Sequence, residues 1–227
     1  MARKDIIENE PSFLIHQRPY SETSQIIHVF SHKFGRMDLI AKGSKRPKSK
    51  FKSLLQPFLP LRLSWSGRSQ LKTLREAEIS GENISNIKGK HLIPAFYLNE
   101  LILSFLKIAD PYPDLFKLYA ATLHDLSESK SIEPSLRRFE MFLLSEIGYA
   151  INFETESLSK KPIEAGLNYV FIAEQGFVSK RDQNSDSFLI KGRWIQAINE
   201  GDFSDPETLR CAKKILRLSI QYHLDGK

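Results

Sequence analysis

The sequence predicts an α+β protein, in which a small β-barrel is followed by a mainly α-helical part that contains a small β-hairpin. Short runs rich in β-branched and aromatic residues, separated by turn residues, fill the first 80 of the 227 residues. After Gly81 the apolar residues recur with the period of helices. Residues 1–80 carry 15 Lys and Arg against 7 Asp and Glu, a net charge of +8, whereas residues 81–227 carry 18 against 20, a net charge of −2.

Five strands are predicted in the first 80 residues, and the turn Lys33-Phe34-Gly35 is expected to pair the second with the third in antiparallel orientation. Their predicted bounds are Phe13–Arg18, Ser24–Ser31, Arg36–Gly43, Pro57–Trp65 and Ser69–Glu78. Five short strands in about 80 residues match the count and size of the five-stranded OB-fold barrel. Barrels of this kind bind nucleic acids or oligosaccharides across one face.

The third strand alternates apolar and polar residues with a period of two, which is typical of a strand with one buried and one exposed face. The predicted buried residues are Met37, Leu39 and Ala41, and the predicted exposed residues are Arg36, Asp38, Ile40 and Lys42. The basic side chains are therefore expected on the outside of the barrel.

The second part of the chain is predicted to hold five helices and one hairpin. The predicted helices are Pro94–Ala109, Leu115–Leu126, Glu133–Gly148, Lys191–Asn199 and Pro206–Leu224, and the hairpin joins Tyr169–Ala173 to Gly176–Lys180. The first of these helices is apolar nearly all round, which indicates a position at the centre of a bundle. We expect an OB-fold domain at 1–80 and a helical domain at 81–227, with an inserted subdomain at about 152–187.

The segment Lys42–Lys52 is the sharpest functional signal, because six of its eleven residues are basic and none is acidic. Its Gly, Ser and Pro residues favour a loop whose charges can follow a phosphate backbone. The predicted nucleic-acid-binding residues are Arg36, Lys42, Lys45, Arg46, Lys48, Lys50, Lys52, Arg68, Lys72 and Arg75. Bases could stack on Tyr20, Phe34 or Phe51. Core packing is favoured for these rings except Phe34, which lies at a predicted hairpin tip.

Enzyme signatures are missing from the sequence. It contains neither a phosphate-binding Gly-x-x-x-x-Gly-Lys-Ser/Thr loop nor a Gly-x-Ser-x-Gly elbow. His28 and His32 stand four residues apart, a metal-ligand spacing on a helix, but they fall on a predicted strand and its end. Cys211 is the single cysteine, so neither an intramolecular disulfide nor a cysteine-based zinc site can form. We expect no catalytic residues, no metal and no cofactor.

No membrane-spanning or signal-peptide segment is predicted, and we expect a cytosolic protein. The apolar share of 41% and the charged share of 26% are those of ordinary globular proteins.

Several short strings along the chain together resemble the RecO family of recombination mediators. They are Arg18-Pro-Tyr-Ser-Glu-Thr-Ser24, Phe34-Gly-Arg36, Ala41-Lys-Gly-Ser-Lys-Arg-Pro-Lys-Ser49, Leu55-Gln-Pro-Phe58, Leu71-Lys-Thr-Leu-Arg-Glu-Ala-Glu78, Phe96-Tyr-Leu-Asn-Glu-Leu101, Leu136-Arg-Arg-Phe-Glu140, Glu146-Ile-Gly-Tyr149 and His223-Leu-Asp-Gly-Lys227. Each string alone is weak, but their number and order are specific, and they span nearly the whole chain.

The resemblance implies an OB-fold domain followed by a helical domain with a small inserted zinc-type subdomain. It also implies binding of single- and double-stranded DNA and annealing of complementary strands in DNA repair and homologous recombination. With RecR, proteins of this family help to load RecA onto DNA coated by the single-stranded-DNA-binding protein. The members with zinc carry four cysteines in the stretch that corresponds to 152–187. This sequence has none there, so we expect no metal.

Arg137 and Arg138 resemble the family's basic pair beside the groove for the acidic, Phe-ended tail of the single-stranded-DNA-binding protein. A solvated helix face is the simpler interpretation of these two residues. Three alternative functions remain open from the sequence: an OB-fold RNA-binding protein without an annealing role, a metal-dependent nuclease and a pure adaptor. Few carboxylates lie near the basic segment, which counts against the nuclease.

Overall fold

The computed structural model describes residues 6–81, 87–128, 132–179 and 188–226. The chain divides into two compact units, residues 1–132 and 133–227. The first unit contains a closed barrel and two helices, and the second contains three helices and a three-stranded sheet.

The barrel has five strands in the order β1-β2-β3-β5-β4 and confirms the predicted fold class. The strands are β1 (Ile6–Pro19), β2 (Gln25–Ser31), β3 (Gly35–Ala41), β4 (Pro60–Ser66) and β5 (Lys72–Ile79). The predicted antiparallel pairing of β2 with β3 is confirmed. A short parallel contact, Leu39 to Lys72 and Ile40 to Thr73, joins β3 to β5. β1 is longer than predicted because it pairs with both β2 and β4, with a register shift between Leu14 and His16.

The interior of the barrel is filled by apolar side chains from all five strands, among them the completely buried Leu39 and the 1% exposed Trp65. The predicted inward residues of β3 are buried. The prediction was wrong for Ile40, which is only 9% exposed. Helices cover part of the outer face of this barrel, so an outward position does not guarantee contact with water.

Two helices of the first unit, α1 (Leu92–Phe105) and α2 (Pro113–Ser127), follow a 3₁₀ turn at Gly89–His91. The ring of Phe13 on β1 lies 5.4 Å from that of Phe116 and 5.1 Å from that of Tyr119, both on α2. The Asn99 amide donates a hydrogen bond of 2.9 Å to the Ile15 carbonyl and accepts one from the Tyr119 hydroxyl. Burial raises the pKa of Tyr119, which keeps this hydroxyl a donor.

These contacts place α1 against the barrel, not at the centre of a bundle as its composition indicated. Its side chains Ile93 and Phe96 are 78% and 50% exposed. The first compact unit accordingly runs past residue 80, the boundary expected from the sequence, because α1 and α2 bury their apolar residues on the outside of the barrel.

Gly35, at the start of β3, has a φ of +66°, and a Cβ atom there would lie 1.7 Å from the Asp110 carbonyl oxygen. The Ala109 amide donates a hydrogen bond of 2.8 Å to the carbonyl of Arg36. The α1–α2 connection therefore rests directly on the β2–β3 turn, and only glycine fits at position 35.

The second unit consists of α3 (Ile132–Glu146), β6 (Asn168–Ile172), β7 (Gly176–Ser179), β8 (Ile190–Lys191), α4 (Gly192–Glu200) and α5 (Pro206–Asp225). The predicted hairpin is present as β6 and β7, and β8 extends the sheet in the order β7-β6-β8. β8 is not among the predicted strands, because two residues are too few to show an alternating pattern. Residues 180–187 of the expected insertion lie outside the described residues.

Candidate nucleic-acid interface

Two connections of the barrel meet at one end, the β1–β2 turn (residues 20–24) and the β3–β4 loop (residues 42–59). The β4–β5 turn (residues 67–71) follows the end of β4, which pairs with the start of β1. The Gly43 amide donates a hydrogen bond of 3.3 Å to Ser24 Oγ, and the Lys45 amide donates one of 3.0 Å to the Thr23 carbonyl. The parallel β3–β5 contact brings the start of β5 beside the end of β3. We call the β1–β2 turn and the β3–β4 loop the basic end.

The β3–β4 loop is anchored to the barrel. Phe51 and Leu55 are buried in the barrel core, and Ser44 donates a hydrogen bond of 2.8 Å to the Ala41 carbonyl. Successive tight turns, such as the 3.0 Å bond from the Ser49 amide to the Arg46 carbonyl, hold the backbone between these anchors. The structure therefore presents the basic side chains on a fixed frame.

Every basic side chain predicted in this loop is exposed. These residues are Lys42, Lys45, Arg46, Lys48, Lys50 and Lys52. Lys45 reaches across the end of the barrel, where its ammonium group lies 3.4 Å from the Ser21 carbonyl oxygen. None of the six forms an ion pair with a described carboxylate, so their charges remain available for a phosphate backbone.

The predicted residues of the β4–β5 turn and β5 begin beside Leu39 and Ile40 of β3, where Lys72 and Thr73 pair with that strand. Arg68 and Arg75 are exposed, and Lys72 is partly exposed. Lys72 donates a hydrogen bond of 3.1 Å to the Gly67 carbonyl, and Arg75 donates one of 2.7 Å from Nε to Ser66 Oγ. These bonds direct the side chains and leave their charges unpaired by the described carboxylates.

Arg18 is a further exposed cation that the charge analysis did not select. It stands near the end of β1, opposite Ile26 on β2, and it is a single basic residue in its part of the sequence. The sequence signal that could have selected it is the Arg-Pro-Tyr string. Residues 18–24, 42–56 and 66–72 contain only one acidic residue, Glu22.

Two of the three aromatic residues, Phe34 and Tyr20, differ from expectation. Phe34 is at a turn, but its ring packs edge-on against Trp65 with the centroids 5.5 Å apart, because the turn folds back over the barrel core. Phe51 is buried. Tyr20, for which core packing was favoured, is 58% exposed beside the basic loop. Of the three rings, Tyr20 is therefore the one placed to stack on a base.

Arg36 stands apart from the other predicted residues. It lies at the opposite end of β3 from Lys42, and its Nη1 donates a hydrogen bond to the carbonyl of Leu103 near the end of α1. The side chain thus joins β3 to α1, and the structure does not bring it to the basic end.

Arg137 and Arg138 have different environments, although they are adjacent on α3. Arg137 is 4% exposed, with Nη2 2.9 Å from Glu140 Oε1 and 4.0 Å from Glu133 Oε2. Arg138 is exposed, and its guanidinium lies 5.7 Å from the centre of the Phe203 ring. Arg138 is accessible to a partner, whereas the Arg137 charge is neutralised by Glu140 inside the unit.

The histidines lie where the strand assignment predicted. His28 is on β2, where its Nδ1 lies 2.8 Å from Asp38 Oδ1 on β3, and its ring is 5.5 Å from that of His16 on β1. The ring of His32 packs edge-on against Phe116. Within residues 6–81, 87–128, 132–179 and 188–226, no three His, Cys, Asp or Glu side chains are arranged to hold a metal ion.

The insertion does not fit the zinc site of the family's zinc-bearing members. It holds no cysteine, and Phe153 and Phe171 pack against Phe177 with ring centroids 5.6 and 5.2 Å apart. The buried carboxylate of Glu156 accepts hydrogen bonds from the amides of Ser159 and Ser179, at 2.7 and 3.3 Å. Hydrogen bonds from Ser159 hold the pKa of Glu156 below its usual value. Apolar packing and the Glu156 carboxylate therefore join the segment 153–159 to β7.

No helix among the described residues is long and apolar enough to cross a membrane.

Two family models match the chain and leave few residues uncovered. The model described as "Recombination protein O N terminal" matches residues 6–82, and the one described as "Recombination protein O C terminal" matches residues 89–227.

Similar full-length proteins carry the name DNA repair protein RecO. The protein of Nitrosococcus oceani is 41% identical, over 96% of this chain and 88% of the relative. That of Aliivibrio fischeri is 39% identical over 95% of this chain and 90% of the relative, and that of Polynucleobacter asymbioticus is 41% identical over 97% and 92%.

Proposed function

This chain belongs to the RecO family of DNA repair proteins, and from that premise we propose that it holds DNA at the basic end of its barrel and anneals complementary strands. Its role lies in DNA repair and recombination. The observation that carries the proposal is the anchored β3–β4 loop, which exposes six cations with no acidic residue among them.

The proposed contacts go from Lys and Arg to phosphate oxygens. Such contacts position a strand without reading its sequence, so both single- and double-stranded DNA are ligands. The contacting residues are the six basic loop residues with Arg18, Arg68, Lys72 and Arg75. Binding releases condensed counterions and depends strongly on salt. The exposed ring of Tyr20 offers a stacking surface for one base of a single strand.

Annealing follows from the same charges. Two complementary strands repel each other through their phosphates, and a basic surface that neutralises part of both backbones lowers this barrier to pairing. The anchors Phe51 and Leu55 keep the cations at the barrel end, so little conformational freedom is lost when a strand binds. No bond is made or broken in this mechanism, and we assign no catalytic residue.

The partners in this proposal follow from family membership. We propose that the protein acts with RecR to load RecA onto DNA coated by the single-stranded-DNA-binding protein. We assign contact with the acidic tail of that protein to the exposed Arg138 beside Phe203, because a guanidinium next to an aromatic ring suits a carboxylate-bearing, Phe-ended peptide. In this proposal Arg137 stabilises α3 through Glu140 and does not touch the tail.

One assay tests the proposal: pairing of two complementary oligonucleotides, naked and precoated with the single-stranded-DNA-binding protein. We expect faster pairing on both substrates, with a rate on naked strands that falls as salt increases. Pairing no faster than the uncatalysed reaction would overturn the annealing role. Competition between matched RNA and DNA strands tests the RNA-binding alternative, which predicts preference for RNA. Incubation of labelled DNA with the protein and magnesium tests the nuclease alternative, which predicts shorter fragments.

A further inference from the structure

The last helix carries a line of exposed cations that its sequence does not group together. Their positions are Arg210, Lys213, Lys214 and Arg217, with the i, i+3, i+4, i+7 spacing of one helix face. The opposite face of α5 carries the buried core residues Cys211 and Ile215. The line is about 10 Å long, since each helical residue rises about 1.5 Å.

Aromatic rings extend this line onto the neighbouring segment of the same unit. The Lys214 ammonium lies 3.9 Å from the centre of the Phe188 ring, and the Arg210 guanidinium lies 5.7 Å from it. A few residues along the chain, Lys191 and Arg193 lie 5.5 and 5.4 Å from the centre of the Trp194 ring.

A hydrogen bond joins the start of α4, which carries Trp194, to the start of α5. Trp194 donates a bond of 3.0 Å from Nε1 to Asp205 Oδ2, which joins the start of α4 to the residue that caps α5. The Trp194 ring therefore lies beside the start of α5, the helix that carries Lys214 and Arg217.

Two of the α5 cations are neutralised by neighbours. Arg210 pairs with Glu207 at 2.7 Å, and Lys213 pairs with Glu133 at 2.9 Å. Four cations, Lys191, Arg193, Lys214 and Arg217, form no ion pair with a described carboxylate. We call these four residues, together with Phe188 and Trp194, the α5 surface.

An apolar crevice of about 180 Å³ opens within this surface. Its lining includes Phe188, Ile190, Ile215 and Leu218, and Lys214 contributes to its wall. The surface thus combines unpaired cations from two parts of the unit, partly exposed aromatic rings and an apolar recess. This combination is typical of grooves that track the backbone of a single strand and stack its bases.

We propose that the α5 surface is a second nucleic-acid contact, which takes the phosphate backbone of a single strand along Lys191, Arg193, Lys214 and Arg217. A base of that strand packs on Phe188 at the crevice. The combination of unpaired cations from two parts of the unit with aromatic rings favours a single strand, which offers both phosphates and bases, over an acidic peptide, whose terminal carboxylates need converging cations. The proposal deepens the annealing role and rests on it, since two contacts allow one protein to hold two strands.

The test compares variants of the full chain with the unchanged protein. K214Q/R217Q removes two charges from the α5 surface. K160Q/K161Q removes two charges from exposed positions elsewhere in the same unit and is the matched control. K45A/R46A/K48A/K50A removes four charges from the basic end. Binding of a fluorescent single-stranded oligonucleotide is titrated over a range of salt, circular dichroism checks folding, and pairing of naked complementary strands is timed.

For K214Q/R217Q we expect roughly three- to tenfold weaker oligonucleotide binding at 50 mM salt, with a salt slope smaller by about 1.4, because each lost phosphate contact on a single strand removes about 0.7. Pairing should slow by a larger factor than binding weakens, whereas K160Q/K161Q should resemble the unchanged protein. A variant in which only Phe188 is changed, F188A, should weaken oligonucleotide binding without changing the salt slope.

Affinity, salt slope and pairing rate of K214Q/R217Q equal to those of the control would overturn the proposal. If the K45A/R46A/K48A/K50A variant nevertheless loses binding, the proposed function at the basic end stands and the second contact alone fails. If K214Q/R217Q loses affinity for a fluorescent acidic, Phe-ended peptide and keeps its affinity for the oligonucleotide, the α5 surface is a peptide site and the proposal is wrong.

Discussion

The two compact units use their basic residues differently. In the barrel unit, six cations follow each other closely in sequence, stand on an anchored loop and remain exposed. In the helical unit, Arg137 is buried against Glu140, Arg210 and Lys213 are paired, and the exposed unpaired cations come from separate elements. A loop can project neighbouring charges together, whereas a helix divides them between a core face and a solvent face. Net charge therefore predicts well where the exposed, unpaired cations lie in the first unit, and it predicts them poorly in the second.

The largest effect should come from the buried charge of the helical unit. Arg137→Ala leaves the Glu140 carboxylate in a buried position without its cation, and loss of one partner of a buried pair costs about 3–5 kcal/mol. Arg138→Ala, on the exposed side of the same helix, should change the free energy of unfolding by less than about 0.5 kcal/mol. Denaturant titration of both variants measures the difference. Equal destabilisation would show that burial does not separate the two arginines.

The next effect should come from the basic loop, where charge can be removed without loss of stability. The K45A/R46A/K48A/K50A variant should reduce the magnitude of the salt slope for single-stranded DNA by about 2.8, since each of four contacts contributes about 0.7. Its affinity loss should shrink as salt increases, and its unfolding midpoint should stay unchanged because these side chains are exposed. Unchanged affinity at low salt would mean that the loop is only a solvated surface. The barrel unit would then not differ from the helical unit in its use of basic residues.

A smaller effect tests whether the units bind different ligands. Arg138→Glu should weaken binding of the acidic tail peptide by about 1.5–3 kcal/mol, the contribution of a charge-assisted contact. Oligonucleotide affinity should change little, because the proposed strand contacts use other residues. Titration of a fluorescent peptide and a fluorescent oligonucleotide against the same variant measures the two affinities. An equal loss for both would place the peptide and DNA on one surface.

The smallest effect concerns the labelling rate of the Cys211 thiol, which reports on unfolding of the helical unit. Burial raises the pKa of the Cys211 thiol to about 11, so at pH 8 little reactive thiolate is present in the folded protein. In the unfolded chain the pKa is about 8.5, so the native state loses stability as the pH rises from about 8.5 towards 11. Labelling by a thiol reagent at pH 8 should be slow, faster in Arg137→Ala, and unchanged in the loop variant. Rapid labelling of the unchanged protein would contradict burial of Cys211.

Local sequence determined the five barrel strands, the helices and the basic loop. Period-two alternation places Leu39 inside the barrel because the side chains of a strand alternate between its faces, and the acid-free run from Lys42 to Lys52 is read directly from the letters. The cap Asp205 followed by Pro206 fixes the start of α5 in the same way, since both signals lie within three residues.

Only the tertiary structure decided which of these charges and rings are available. Arg36 and Arg137 carry the same charge as Lys45, yet one donates to a distant carbonyl and the other faces a buried carboxylate. Phe34 packs on the barrel core while Tyr20 stays exposed, because long-range packing sets the exposure of each ring. Hydrogen bonds and burial couple residues that are tens of positions apart in the chain. Local sequence patterns do not show which of these distant residues come into contact.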